Sequence, residues 1–143
     1  MTDKLLLLLA EDEPIIQLAA QDVLEHGGYA VVTASDGIEA MAVIDEPSRE
    51  LAGLVTDIDL GDGANGWQLA HRAREVFPLI PVVYTSGGSV GDWQAHGVPK
   101  SMMLAKPYAD AQLLTAISTL LNEAAVMNVL PHSREDDRTL DRD

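Results

Sequence analysis

LLLLLAEDEPIIQLAAQDVLEHGGYAVVTA, residues 5–34, decides the fold. Its first apolar run, Leu5–Ala10, does not alternate with polar residues, the habit of a strand covered on both faces and therefore of a parallel sheet. Glu11, Asp12 and Glu13 end the run. Ile16, Ala19, Ala20 and Val23 then recur at helical spacing, with Pro14 suited to a first turn and Gly27-Gly28 closing the segment. A second apolar run follows at Tyr29–Ala34. Strand, helix and strand in so short a span form a parallel crossover unit.

The same unit recurs outward along the chain. Further apolar runs stand at Leu51–Thr56, Pro81–Ser86 and Ser101–Ala105. Asp36 and Glu39 resemble a capping box ahead of Ala40, Val43 and Ile44. Trp67, Ala70, Ala73 and Phe77 predict a helix stopped by Pro78, and Leu113, Ala116, Ile117, Leu120 and Ala124 make an amphipathic last helix. A fourth helix within the Gly-rich stretch 88–97 has the weakest pattern. Five alternations of strand and helix imply right-handed crossovers and a doubly wound α/β domain over residues 1–126. Residues 127–143 are polar, charged and without periodicity, and are expected to be a flexible charged C-terminal tail.

The 143 residues suit one sizeable core, and no separate output module is expected within them. Absence of cysteine removes disulfides and thiolate chemistry. With 23 acidic and 9 basic side chains the formal charge is -14, which argues against binding a nucleic-acid backbone. The acidity is concentrated: residues 1–66 carry 14 acids and 2 bases, whereas residues 67–130 carry 4 of each. No run approaches the roughly 18 apolar residues of a membrane span, and Leu5–Ala10 lacks the length and cleavage region of a signal peptide. A cytoplasmic soluble protein with no membrane contact is expected.

In an open parallel sheet, ligands bind beyond the carboxyl ends of the strands. Glu11 and Asp12 follow the first apolar run, Asp57 the third, Ser86 ends the fourth and Lys106 follows the fifth. Two carboxylates about 4 Å apart repel by roughly 4 kcal/mol at an effective dielectric near 20, so the acids at the first and third ends call for a cation. Mg²⁺ suits a few hard oxygen ligands with waters left over. Together the residues suit phosphoryl transfer. Asp57, alone at its strand end, is the nucleophile; Glu11 and Asp12 hold metal; Lys106 and Ser86 hold phosphoryl oxygens. The plainer alternative for Lys106 is an ion pair with Asp57, which describes a resting state of the same site.

LLLLLAEDEP (5–14), LVTDIDLGDGANG (54–66), PVVYTSG (81–87) and LAKPY (104–108), in this order and spacing, resemble a two-component response regulator receiver domain of the stand-alone, CheY-like type. The resemblance covers most of residues 3–126. It implies a flavodoxin-like five-stranded parallel sheet of order 2-1-3-4-5 flanked by five helices. It implies Asp57 as phospho-acceptor, Glu11 and Asp12 as the acidic metal pair, the main-chain carbonyl of Asp59 as a further Mg²⁺ ligand, Ser86 as switch hydroxyl, and Lys106 before a proline that is often cis. Counting from Pro81 selects Ser86 over Thr85, and neighbouring strand residues point to opposite faces. The implied partners are a histidine kinase or histidine phosphotransfer protein upstream and a protein target downstream, with the chain a monomer or a phosphorylation-dependent homodimer. No enzyme activity beyond self-phosphotransfer and autodephosphorylation is implied.

Some positions depart from the family pattern. Met103 stands where a Tyr or Phe often reports phosphorylation, Gly61 replaces a frequent proline, and the loop to Gly66 is one residue longer. Asp59 and Gly88 occupy positions that tune the phospho-aspartate lifetime. His26, His71, His96 and His132 are scattered and read as surface residues, Trp67 and Tyr84 as packing residues, and Trp93 as a candidate partner contact. Two other functions compete. Asp57-Ile58-Asp59 resembles the DxD motif of haloacid-dehalogenase-type phosphatases, although that motif follows a first strand. A pseudo-receiver that only binds would have lost part of the acidic, hydroxyl and lysine set, which is intact here.

Overall fold

The structure is a computed structural model. It describes residues 3–88 and 90–142, with side chains described as far as Met127 apart from Val90. Five strands, β1 (Leu6–Ala10), β2 (Ala30–Ala34), β3 (Gly53–Asp57), β4 (Val82–Ser86) and β5 (Ser101–Ala105), form one parallel sheet of order β2-β1-β3-β4-β5. Helices α1 (Pro14–His26), α2 (Gly37–Asp45), α3 (Gly66–Val76), α4 (Trp93–His96) and α5 (Asp110–Arg142) alternate with them, and a 3-10 turn at Val90–Asp92 precedes α4. This is the flavodoxin-like receiver architecture that the apolar runs and the resemblance imply.

Alternation along the strands builds two cores. Leu7, Leu9, Val55 and Val83 face Ala20 and Leu24 of α1 and Leu113, Ala116 and Ile117 of α5. Leu8, Leu54, Val82 and Tyr84 face Ala40 and Ile44 of α2 and Leu69, Ala70 and Ala73 of α3. These central strands are apolar throughout because both of their faces are covered. Truncating one such buried leucine to alanine costs about 2–5 kcal/mol.

The helix starts are locally encoded. Pro14 opens α1, and Asp36 Oδ1 accepts from Glu39 N at 2.8 Å to cap α2. Glu39 does not close the expected box on Asp36. Its Oε1 reaches one residue further, to Ser35 N at 2.7 Å. A complete capping box stands at α3, where Asn65 and Gln68 each accept from the other's backbone N–H.

Two regions differ from the pattern of the sequence. The fourth helix shrinks to four residues, in keeping with its Gly-rich surroundings. In place of an aperiodic tail, the backbone continues α5 through residue 142. The side chains of the tail expected from residue 127 lie beyond Met127 and outside the described residues. No helix among the described residues is long and apolar enough to cross a membrane.

The chain runs from β1 to β2 on one side and to β3 on the other. Strand order therefore reverses between β1 and β3, opening a crevice at their carboxyl ends.

Candidate functional site

Four strand ends deliver five side chains to that crevice. Glu11 directly follows β1 and is 2% exposed. Asp12 is next in the chain yet lies in solvent. Asp57 is the last residue of β3 and Ser86 the last of β4, and both are buried. Lys106, directly after β5, is half-buried, and its backbone N–H donates to Ser86 O at 2.8 Å, which ties the ends of β4 and β5 together.

Lys106 Nζ donates to Glu11 Oε1 at 2.8 Å and to Asp57 Oδ2 at 3.0 Å, with Glu13 Oε1 at 3.7 Å. The resting ion pair weighed for Lys106 thus exists, but it is shared between two buried acids. Glu11 is pinned further by Glu13 N donating to its Oε2 at 3.1 Å. Gln17 on α1 staples the same corner: its amide donates to the carbonyls of Glu11 at 2.9 Å and Ala34 at 3.3 Å. Gln17 and Glu13 were not singled out in the sequence; the one available signal is a polar residue between Ile16 and Leu18 on an otherwise apolar stretch.

One carboxylate oxygen from each of Glu11, Asp12 and Asp57 lies within 4.8 Å of the others. Burial pushes the Asp57 carboxyl above its ordinary pKa, and Lys106 opposes that rise without cancelling it. Burial likewise raises Glu11, against the hydrogen bonds from Lys106 and Glu13. For Lys106, burial acts to lower the pKa, but its bonds to Glu11 and Asp57 outweigh burial and raise it, so the ammonium stays protonated. Two buried carboxylates share one ammonium, and the exposed Asp12 adds a third negative charge beside them. The negative surplus, the hard oxygen donors and the open side at Asp12 fit a small divalent cation.

The loop after Asp57 is held from behind. Gly66 N donates to Ile58 O at 2.8 Å, and a Cβ at position 66 would run into the Asp57 carbonyl, so only glycine lets α3 start this close to the acceptor. Gly37 N donates to Asp62 O at 2.9 Å, binding the same loop to the start of α2. The Asp59 side chain lies in solvent. Lys106-Pro107 is a cis peptide.

Strand register bears on the hydroxyls. Asp57 and Thr85 are Cα partners across β3 and β4, and Ile58 N donates to Thr85 O at 3.1 Å. Alternation therefore puts Thr85 on the sheet face of Asp57, and Ser86 on the face of Tyr84. Ser86 Oγ accepts from Gly88 N at 3.0 Å. Of the remaining residues singled out in the sequence, Trp67 stacks on buried Tyr84 with ring centroids 4.7 Å apart. Trp93 is half-buried, its indole N–H on Ser101 Oγ at 2.9 Å. His26, His71 and His96 lie at the surface, and His132 falls outside the described side chains.

Comparison with known proteins agrees with this geometry. Residues 7–118 match the family model described as response regulator receiver domain. A response regulator receiver protein from Sinorhizobium medicae WSM419 is 39% identical with a TM-score of 0.82, covering 85% of this chain and 98% of its own. Among curated proteins, the transcriptional regulatory protein GlrR of Escherichia coli K12 is 32% identical over 83% of this chain and 27% of its own length. The sensor kinase CckA of Brucella abortus is 29% identical over 81% of this chain and 12% of its own. The chain thus spans about an eighth of that kinase and about a quarter of that regulator. The matched family is one of signalling domains and not a conventional enzyme family. With the crossover order, the acidic crevice and a family match over most of its length, the chain belongs to the response regulator receiver domain family of two-component signalling.

Proposed function

We propose that this domain accepts a phosphoryl group on Asp57 from a phosphohistidine of a histidine kinase or histidine phosphotransfer protein, and signals through altered protein contacts. The observation that carries the reading is the shared placement of Lys106 between Glu11 and Asp57 beside an exposed Asp12. A carboxylate kept only for structure would be neutralised by its lysine; here the negative charge exceeds it.

In the transfer, an Asp57 carboxylate oxygen forms a bond to phosphorus as the phosphorus–nitrogen bond to the donor imidazole breaks, and the imidazole leaves with the electron pair and takes up a proton. Glu11, Asp12, Asp57 and the carbonyl of Asp59 would hold Mg²⁺, which when bound supplies neutralisation of charge on the phosphoryl oxygens. Lys106, already protonated, exchanges part of its contact with the carboxylates for a phosphoryl oxygen. The donor docks where α1 is apolar and open: Ile15 and Leu18 are 84% and 68% exposed. Ile15 borders a cleft of about 490 Å³ lined also by Ile16, Ala19, Pro107 and Tyr108.

Ser86 is the hydroxyl of this proposal, because it ends β4, and turning toward the acceptor would release Gly88 N. The shared face of Thr85 and Asp57 favours Thr85 as a second reading. Incubation with Mg²⁺ and acetyl phosphate, followed by intact-mass measurement, is expected to show one added phosphoryl group, lost in Asp57→Ala. Addition that survives Asp57→Ala would sink the assignment. Ser86→Ala and Thr85→Val, compared for their phosphorylation-dependent change of conformation, separate the two hydroxyls; the first is expected to lose it.

A further inference from the structure

The family's frequent aromatic residue on β5 is here Met103, half-buried against the α2–α3 core. Its Cα partner across the strand pair is Tyr84 on β4, and Tyr84 is the largest fully buried side chain among the described residues. An aromatic ring therefore stands on β4 at the level of Met103 on β5.

Tyr84 is more than filler. Its hydroxyl oxygen accepts from Val98 N at 3.0 Å, in the turn between α4 and β5. Val98 O in turn accepts from the Ser101 hydroxyl at 2.6 Å, and Ser101 Oγ accepts from Trp93 Nε1 at 2.9 Å. These three hydrogen bonds, passing through the backbone of Val98, link Tyr84 on β4 to Trp93 on α4. Trp67 lies on Tyr84, and His96 lies 5.7 Å from Trp67 between ring centroids. His96 O accepts from or faces His71 Nε2 at 3.1 Å, which ties α4 to α3. Ser86 stands two residues beyond Tyr84 on the same face of β4, its hydroxyl holding Gly88 N ahead of α4.

We propose that Tyr84 is the positioning residue that couples Ser86 to α4 in this chain, so that occupation of Asp57 is read out as a movement of Trp93 against β5 about Val98, which the Tyr84 hydroxyl holds in place. The inference rests on the phosphoryl-acceptor reading above and deepens it. When Ser86 turns toward the acceptor it gives up Gly88 N, and the segment entering α4 loses one of its anchors. The segment leaving α4 is still held by Tyr84 through Val98. The four-residue helix then pivots about that hydroxyl. Met103, whose thioether is at best a weak acceptor, cannot serve as such an anchor.

Both tryptophans of the chain, Trp67 and Trp93, belong to this cluster, so intrinsic fluorescence reports on it without a label. With Mg²⁺ and acetyl phosphate, and phosphoryl gain followed in parallel by intact mass, the wild type is expected to change its emission as it gains the group. Tyr84→Phe keeps the ring and deletes the hydroxyl; it is expected to gain the phosphoryl group as before while losing most of the emission change. Trp67→Phe leaves Trp93 as the single reporter and is expected to keep a response. A wild type that gains the group with unchanged emission, a Tyr84→Phe that responds as the wild type does, or a silent Trp67→Phe would each overturn the coupling. A merely structural Tyr84 would lower thermal stability in Tyr84→Phe but leave the response in place. Absence of phosphoryl gain in the wild type would instead remove the acceptor reading, and the coupling with it.

Discussion

Two groups of polar residues, one joining β4, α4 and β5 and the other at the carboxyl ends of β1, β3 and β5, are balanced in opposite ways. Around Tyr84, Val98, Ser101 and Trp93 three hydrogen bonds join neutral groups and no charge is involved. Around Glu11, Asp57 and Lys106 two buried acids divide one ammonium, and a third acid waits in solvent. Among the described residues no buried side-chain nitrogen or oxygen lacks a hydrogen-bond partner, so the contrast is one of charge and not of unmade bonds. A neutral, closed network specifies a geometry. A charged group with a surplus is complete only when something from outside arrives.

The contrast is broken most severely at the lysine. Lys106→Met is expected to destabilise the metal-free protein by about 4 kcal/mol near neutral pH, because it strands two buried carboxylates. Urea melts check this, and the deficit is expected to shrink as pH falls, since both carboxyls can then protonate. A loss below about 1 kcal/mol, the range of exposed pairs, would show that the cluster is solvated.

Tyr84→Phe comes next. It leaves the buried Val98 N–H without its acceptor, a loss of about 2 kcal/mol that is independent of pH between neutrality and mild acid. Parallel melts at two pH values separate it from the lysine variant by slope alone.

Asp57→Asn is smaller and opposite in sign. Removing one of two acids that compete for Lys106 is expected to raise the metal-free melting temperature by about 3 °C, roughly 1 kcal/mol. The pH slope follows from the raised carboxyls. A carboxyl whose folded pKa lies above its unfolded one binds protons more tightly when folded, so stability declines as pH rises from the ordinary carboxylate range through the raised folded value. Asp57→Asn flattens that decline, and Mg²⁺ stabilises the wild type more than the variant.

Ser101→Ala is expected to have an effect of similar size, a loss of about 1 kcal/mol, because the Trp93 indole it releases is half-buried and can turn to water while Val98 O loses its donor. A blue or red shift of Trp93 emission in the resting state records the change directly.

Much of this could be anticipated from local pattern. The apolar runs at Leu5–Ala10 and Pro81–Ser86 match β1 and β4 to within a residue, since hydrophobic continuity reports burial on both faces. Asp36 announced its helix for the same local reason. Asn65 and Gln68 carry the same signal, set among the glycines of the loop Gly61–Gly66. The fourth helix was hardest to place, because glycines erase periodicity and α4 is held by hydrogen bonds to distant residues instead of by an apolar stripe. Counting from Pro81 selected Ser86, while the alternation invoked beside that count places Thr85 on the face of Asp57; alternation ranks residues within a strand, and Ser86 is where the strand ends.

By itself the sequence determined the order of elements, the parallel sheet and the polar residues that close each strand, because periodicity, capping and strand ends are properties of neighbours in the chain. Only the tertiary structure decided that Lys106 bonds Glu11 across 95 residues as well as Asp57 across 49. It alone left Asp12 open while burying Glu11, and set Tyr84 opposite Met103. Those outcomes depend on the register and crossing of strands far apart in the chain, where a shift of one residue exchanges the two faces of the sheet and brings a different pair of side chains together.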